Sequence, residues 1–364
     1  MDGLIDWRLA ARIAAAIGEP GAGGGGQPIV AADPFSPAAI AAACAEAGPR
    51  AAAYSGLEPD TAPPVPEVVD RAAWSANALA TLRDLGGDLE RRAAARFEAP
   101  GPLGAVARSV VGAALAAEAG AVSGYASRKV LGQYDVSLVA EERPPRLLFV
   151  APNLRAVQGE IGADGPTFVH WVALHETTHA IQFGSVPWLR AHLAGLVSGL
   201  LDGAVDRVES GAMRSAAGSV LRSDPRHIAS ALLKGELARA IAGPAQLALL
   251  DRVQATMAVI EGHAEHVMDA AAAELGGAYA TMRDRLEARR ASRSGIDAIV
   301  ARVLGLDLKL RQYRLGKAFC DTVVDVAGVD GLNRVWASPE SLPDLAELEQ
   351  PRAWLNRIVL GSHA

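Results

Sequence analysis

Residues 166–184 read PTFVHWVALHETTHAIQFG, and this stretch decides the fold. Gly165-Pro166 marks a helix start, because proline at the first helical position gives up no hydrogen bond. Gly184 marks a stop, since glycine enters the left-handed conformation cheaply. The roughly 18 residues between them make a helix about 27 Å long at about 1.5 Å rise per residue. Its apolar residues are Phe168, Val169, Trp171, Val172, Ala173, Leu174, Ala180, Ile181 and Phe183. They surround the axis instead of forming one stripe, so the helix is expected to be buried.

Inside it, His175-Glu176-Thr177-Thr178-His179 forms an H-E-x-x-H pentad. Histidines four apart stand one above the other on a single helix face, offset by about 40° and about 6 Å. That spacing lets both imidazoles reach one zinc ion at about 2.0–2.1 Å. Glu176 projects about 100° away from His175 around the axis. It is placed to take a proton from a water activated by the metal and pass it to a leaving group. Chance also produces such pentads, mostly on loops or exposed faces. In an apolar mid-helix setting, two imidazoles and a carboxylate are costly without a partner, and a metal supplies one.

The 364 residues suffice for two domains or one large one. Half are hydrophobic, only 5% are aromatic, and Ala-Leu-Arg-Glu stretches recur, which favours helix. The expected fold is mainly α with a small β-sheet, an α+β class built around the buried helix. A net charge of −6 argues against a nucleic-acid-binding surface. No uncharged apolar run reaches the roughly 18 residues a membrane span needs. The first 15 residues carry acids and arginines within their apolar run, unlike a secretory signal. The two cysteines, Cys44 and Cys320, lie in apolar helical stretches and read as buried free thiols of a reducing compartment. A cytoplasmic location is therefore expected.

Along the chain, helices are expected at 7–17, 37–47, 68–96 (with a break at Gly86-Gly87) and 106–132. A proline-rich connector at 58–66 separates the second from the third. Residues 21–26, GAGGGG, contain the spacing of a dinucleotide fingerprint. A helix precedes them and Gln27-Pro28 follows, so they read as a loop. RLLFV at 146–150 is a short buried strand beside the pentad helix. It is either an internal hairpin strand or a free edge that could pair with an extended peptide. Helices at 187–209, 227–241 and 243–275 follow, with a polar linker at 210–225. Residues 281–293 present a solvated, arginine-rich helix face. Residues 296–327 and 331–358 close the chain.

A catalytic zinc has three protein ligands and one open position. Residues 257–269, MAVIEGHAEHVMD, place Glu261, His263, Glu265 and His266 directly after an apolar run. Glu261 and Glu265, four apart, share one face. This pair resembles the gluzincin arrangement, in which an acid on a later helix binds zinc and a second acid supports a ligand histidine. The resemblance implies Glu261 as third ligand and Glu265 as the carboxylate that supports a ligand histidine, while the segment's own residues leave His266 and His263 as rivals to Glu261. VLGQYD, FVAPN, WVALHETTHAIQF, EGHAEHVMD, KLRQYRLGKAF and LNRVWASPESLP together resemble a family of zincin-like metallopeptidases. One branch of that family is associated by genome context with coenzyme F420 biosynthesis. The likeness covers residue 124 to the C-terminus well and the N-terminal third loosely. It implies a mainly helical zincin-like fold and a zinc cofactor, and names no substrate. The expected division is an N-terminal helical region at 1–123 and a zincin-like catalytic region at 124–364, and water activated by zinc beside a glutamate points to a peptide or amide substrate. His263, Tyr134 and Tyr313 are candidate donors to the oxyanion. The alternatives are a catalytically silent scaffold and a zinc amidohydrolase of a small metabolite.

Overall fold

The computed structural model describes residues 4–19, 33–96, 102–138, 143–209, 243–272, 276–291 and 306–361. The glycine run at 21–26, the linker at 210–225 and the helix expected at 227–241 lie outside them. The described chain is mainly helical with one three-stranded sheet. Two units divide it: Met1–Ala45 with Pro64–Glu176, and Glu46–Pro63 with Thr177–Ala364.

The first unit begins with α1 (Trp7–Gly18), capped by the Asp6 side chain, which accepts from the Leu9 amide. Then come the start of α2 (Pro37–Ser55), β1 (Pro66–Val69), α3 (Arg71–Arg96) and α4 (Pro102–Ser127). Small residues decide how α1 meets α4. Ala10 and Ala14 are fully buried. A Cβ on Gly120 would lie 2.5 Å from the Ala10 carbonyl oxygen, and one on Gly124 2.7 Å from that of Ala14. After α4 come β2 (Gly132–Asp135), β3 (Arg146–Val150) and α5 (Ala151–Ile161).

The sheet order is β1-β3-β2. β3 pairs parallel with β1 and antiparallel with β2. RLLFV is therefore the central strand: of the two expectations the internal one holds, with β3 antiparallel to the preceding β2 as in a hairpin, β1 added on its other side and no edge left free, and Leu147–Val150 are buried almost completely. The helix expected at 68–96 is corrected to a strand followed by a helix. Val68 and Val69 favour the extended pairing with β3. The Asp70 side chain then accepts from the Ala73 amide and starts α3. That helix runs unbroken through Gly86-Gly87. The helix expected at 106–132 likewise ends at Ser127 and gives way to β2.

α6 (Gly165–Ser185) carries the pentad across the division between the units. Its start is held by Asp164, whose carboxylate accepts from the Thr167 amide and hydroxyl. Gly184 is not its stop. That residue is helical, and its missing side chain makes room for Pro59, whose Cβ would lie 2.8 Å from a Cβ there. Pro187 instead opens the next helix, α7 (Pro187–Glu209).

In the second unit, α8 (Pro244–Ala272) packs on α10 (Leu306–Leu332), with α9 (Gly277–Ala291) between them in sequence. A Cβ on Gly316 of α10 would lie 1.8 Å from the Ala258 carbonyl oxygen, so the two backbones touch. Gly328, with φ 71°, turns the chain inside the last part of α10. Short turns at Asn333–Trp336 and Pro339–Ser341 lead to α11 (Leu345–Glu349) and α12 (Pro351–Trp354). Trp354 is fully buried edge-on against Phe319, and its indole donates to the Ser341 carbonyl. Cys44 and Cys320 are buried free thiols. No described helix is long and apolar enough to cross a membrane.

Candidate metal centre

α6 is buried as its composition demands: Phe168, Ala173 and Leu174 are fully covered, and Val169, Val172 and Ile181 nearly so. Glu176 and His179 are buried with them at 6% and 8% exposure. His179 Nε2 lies 3.6 Å from Glu261 Oε2 of α8. One donor atom each from His175, His179 and Glu261 all lie within 4.8 Å of one another. Two imidazoles and a carboxylate are a zinc donor set, and atoms bound tetrahedrally at about 2.0–2.1 Å stand roughly 3.4 Å apart. The His179–Glu261 spacing already matches that figure, so the residues present fit zinc.

Glu176 is held apart from this set by the sheet. Its Oε2 accepts a 2.9 Å hydrogen bond from the main-chain amide of Tyr134 in β2. Beside it, Gly132 leaves the room the carboxylate fills: a Cβ there would lie 2.6 Å from Glu176 Cγ and 2.7 Å from Oε1. Sequence reasoning missed this seat, because a four-residue strand with one tyrosine gives little signal. Gly132→Ala should push the Glu176 side chain off the Tyr134 amide. A roughly 10²-fold drop in turnover is expected, as for a misplacement of about 1 Å. Zinc content by elemental analysis should stay at the wild-type value.

The helix bearing Glu261 orients its other polar residues differently. His266 Nε2 meets the Tyr54 hydroxyl at 2.8 Å and its Nδ1 meets Asp321 at 2.7 Å. Burial would raise the Asp321 carboxyl, but hydrogen bonds from His266 and Lys317 outweigh it and hold it below the usual range. His263 is fully buried, edge-on to Trp336, and its Nδ1 meets the Gln182 amide at 3.0 Å. Burial, then the neighbouring His266 and His179, push its pKa down to about 3, so it stays neutral. Neither rival histidine is in the donor cluster.

Glu265 lines a charged cleft with Arg283, Lys317 and Asp321. The ring nitrogen of His179 that faces away from Glu261 is served by Gln182, whose Oε1 lies 2.8 Å from Nδ1. Of the oxyanion candidates, Tyr134 contributes its amide to Glu176, and the Tyr313 side chain lies outside the described residues.

A buried H-E-x-x-H helix joined by a carboxylate from a later helix is the ligand pattern of zincin metallopeptidases. The chain belongs to the zincin-like metallopeptidase family, whose model matches residues 5–355. No curated protein sequence matches it. A solved structure from Chloroflexus aurantiacus, described as a "putative hydrolase with a novel fold", is similar at 28% identity with a TM-score of 0.68. The match covers 97% of this chain and 98% of that one. Family and neighbour together support zinc-hydrolase chemistry on a mainly helical zincin-like fold.

Proposed function

We propose that the protein is a zinc-dependent peptidase in which His175, His179 and Glu261 hold the metal and Glu176 moves the proton. The observation that carries this reading is the convergence of those three donors one residue away from a carboxylate seated on a strand amide. When bound, zinc polarises the scissile carbonyl and lowers the pKa of water toward about 7. Glu176 takes a proton from the attacking water as the new carbon–oxygen bond forms. It returns that proton to the departing nitrogen as the carbon–nitrogen bond breaks. The Tyr134 amide keeps Oε2 in place, which leaves Oε1 to carry the proton.

A peptide is favoured over a small metabolite because β2 is an edge strand and its outer edge at Gly132–Tyr134 lies against Glu176. An extended chain recognises such an edge through its own backbone. The buried free thiols favour the cytoplasm as its location.

Purified protein should carry about one zinc per chain. His179→Ala and His175→Ala should each lose most of it in elemental analysis. Full occupancy in both variants would remove the metal assignment. A peptide-library screen of zinc-loaded wild type then separates a peptidase from a silent scaffold, which would bind zinc and cleave nothing.

A further inference from the structure

Gln182 is fully buried, three residues after His179, and every polar function of its amide is engaged. Its nitrogen donates to the Ile260 carbonyl at 2.9 Å and lies 3.0 Å from His263 Nδ1. Its oxygen lies 2.8 Å from His179 Nδ1. A carbonyl can only accept, so the amide nitrogen must face Ile260 and the oxygen must face His179. Reversing the amide would set two acceptors 2.9 Å apart in a buried place. With its orientation fixed, the oxygen requires a proton on His179 Nδ1. Nε2 is then a bare lone pair, and it is the atom 3.6 Å from Glu261 Oε2. The second amide hydrogen requires His263 Nδ1 to accept, so His263 carries its proton on Nε2 beside Trp336.

We propose that Gln182 is the positioning residue of this centre: it selects the His179 tautomer that can bind a metal and ties that ring to the helix carrying Glu261. The proposal rests on the metal reading above. It explains why an amide stands here and not an acid or an apolar residue. Glutamate could accept from His179 but could not donate to Ile260. Leucine would fill the space and leave Ile260, His263 and His179 without their bonds. Asparagine is one methylene too short to span two helices. The pentad therefore continues as H-E-x-x-H-x-x-Q, with the glutamine one turn on, on the same face.

The test uses the full chain with nitrogen-15 in its histidines. Long-range proton–nitrogen NMR of the metal-free wild type should show His179 protonated at Nδ1. Gln182→Leu should mix the two tautomers and weaken zinc binding by about 10–100-fold in competition with a chelator. Gln182→Glu keeps an acceptor for Nδ1, so it should keep the tautomer and most of the zinc affinity while melting at a lower temperature. A purely structural role predicts lower melting in both variants with tautomer and affinity unchanged. Wild-type His179 protonated at Nε2 would overturn the proposal without any variant, even if Gln182→Leu fails to fold. So would a folded Gln182→Leu that binds zinc like the wild type. Absence of zinc binding in the wild type sinks the metal reading instead, and the tautomer measurement still decides what Gln182 does.

Discussion

Glu176→Gln should bind zinc as the wild type does, fold normally and lose about 10³-fold in turnover, within the range a general base contributes. Glutamine is nearly the same size and keeps an oxygen that can accept from the Tyr134 amide, so the seat on β2 survives. Gly132 leaves space for the new amide nitrogen where a larger residue would crowd it. What disappears is the proton acceptor. The defect should fall mainly on kcat, because the group acts in the transition state more than on bound substrate. The assay needs a peptide found by library screening with the wild type. A Gln variant that keeps comparable kcat would take Glu176 out of the mechanism. One that loses zinc or melts early would make it a structural group.

The part of this site that could be read from the sequence is the part held by local geometry. His175, Glu176 and His179 are related by helical spacing alone, and the apolar residues around them announce a buried helix before any contact is known. Glu261 was legible for a related reason: polar residues crowd into an apolar run, and that needs a cause. Its rivals could not be eliminated, because His266 is engaged by Tyr54, 212 residues away, and nothing local indicates that.

Long-range pairing hid the rest. Pro66–Val69 is only four residues in a proline-rich stretch, and it becomes a strand because it lies beside β3. Gln182 reads as one more polar residue near a helix end. Its meaning comes from Ile260 and His263, 78 and 81 residues on. Gly184 misled in the opposite way. A glycine at the expected end of a helix suggests a cap, but here it clears a path for Pro59. Local sequence says that a glycine is needed there and not which of its two properties is used.

That same ambiguity makes Gly316→Ala the most damaging small substitution expected. In a helix interior, alanine is preferred over glycine by about 1 kcal/mol, so propensity alone predicts stabilisation. The geometry predicts the reverse. The added Cβ would sit 1.8 Å from the Ala258 carbonyl oxygen and 2.6 Å from its carbon. Both are backbone atoms of α8, so no rotamer change relieves the overlap. Gly262 faces the same contact from the other side, where a Cβ would meet the Gly316 carbonyl carbon at 2.1 Å. The helices would have to separate by more than about 1 Å along a buried seam, at a cost of about 3 kcal/mol or more, the upper end of overpacking penalties. The strain falls on α8 directly beside Glu261 and His263. Zinc affinity should therefore drop together with the denaturant midpoint, although the substituted residue is no ligand. Gly86→Ala in α3 is the control, because nothing lies within 4 Å of a Cβ there. It should leave zinc binding unchanged and raise stability by about 0.5–1 kcal/mol through helix propensity. Equal, small effects from the two substitutions in denaturant titrations would mean that α8 and α10 do not touch backbone to backbone.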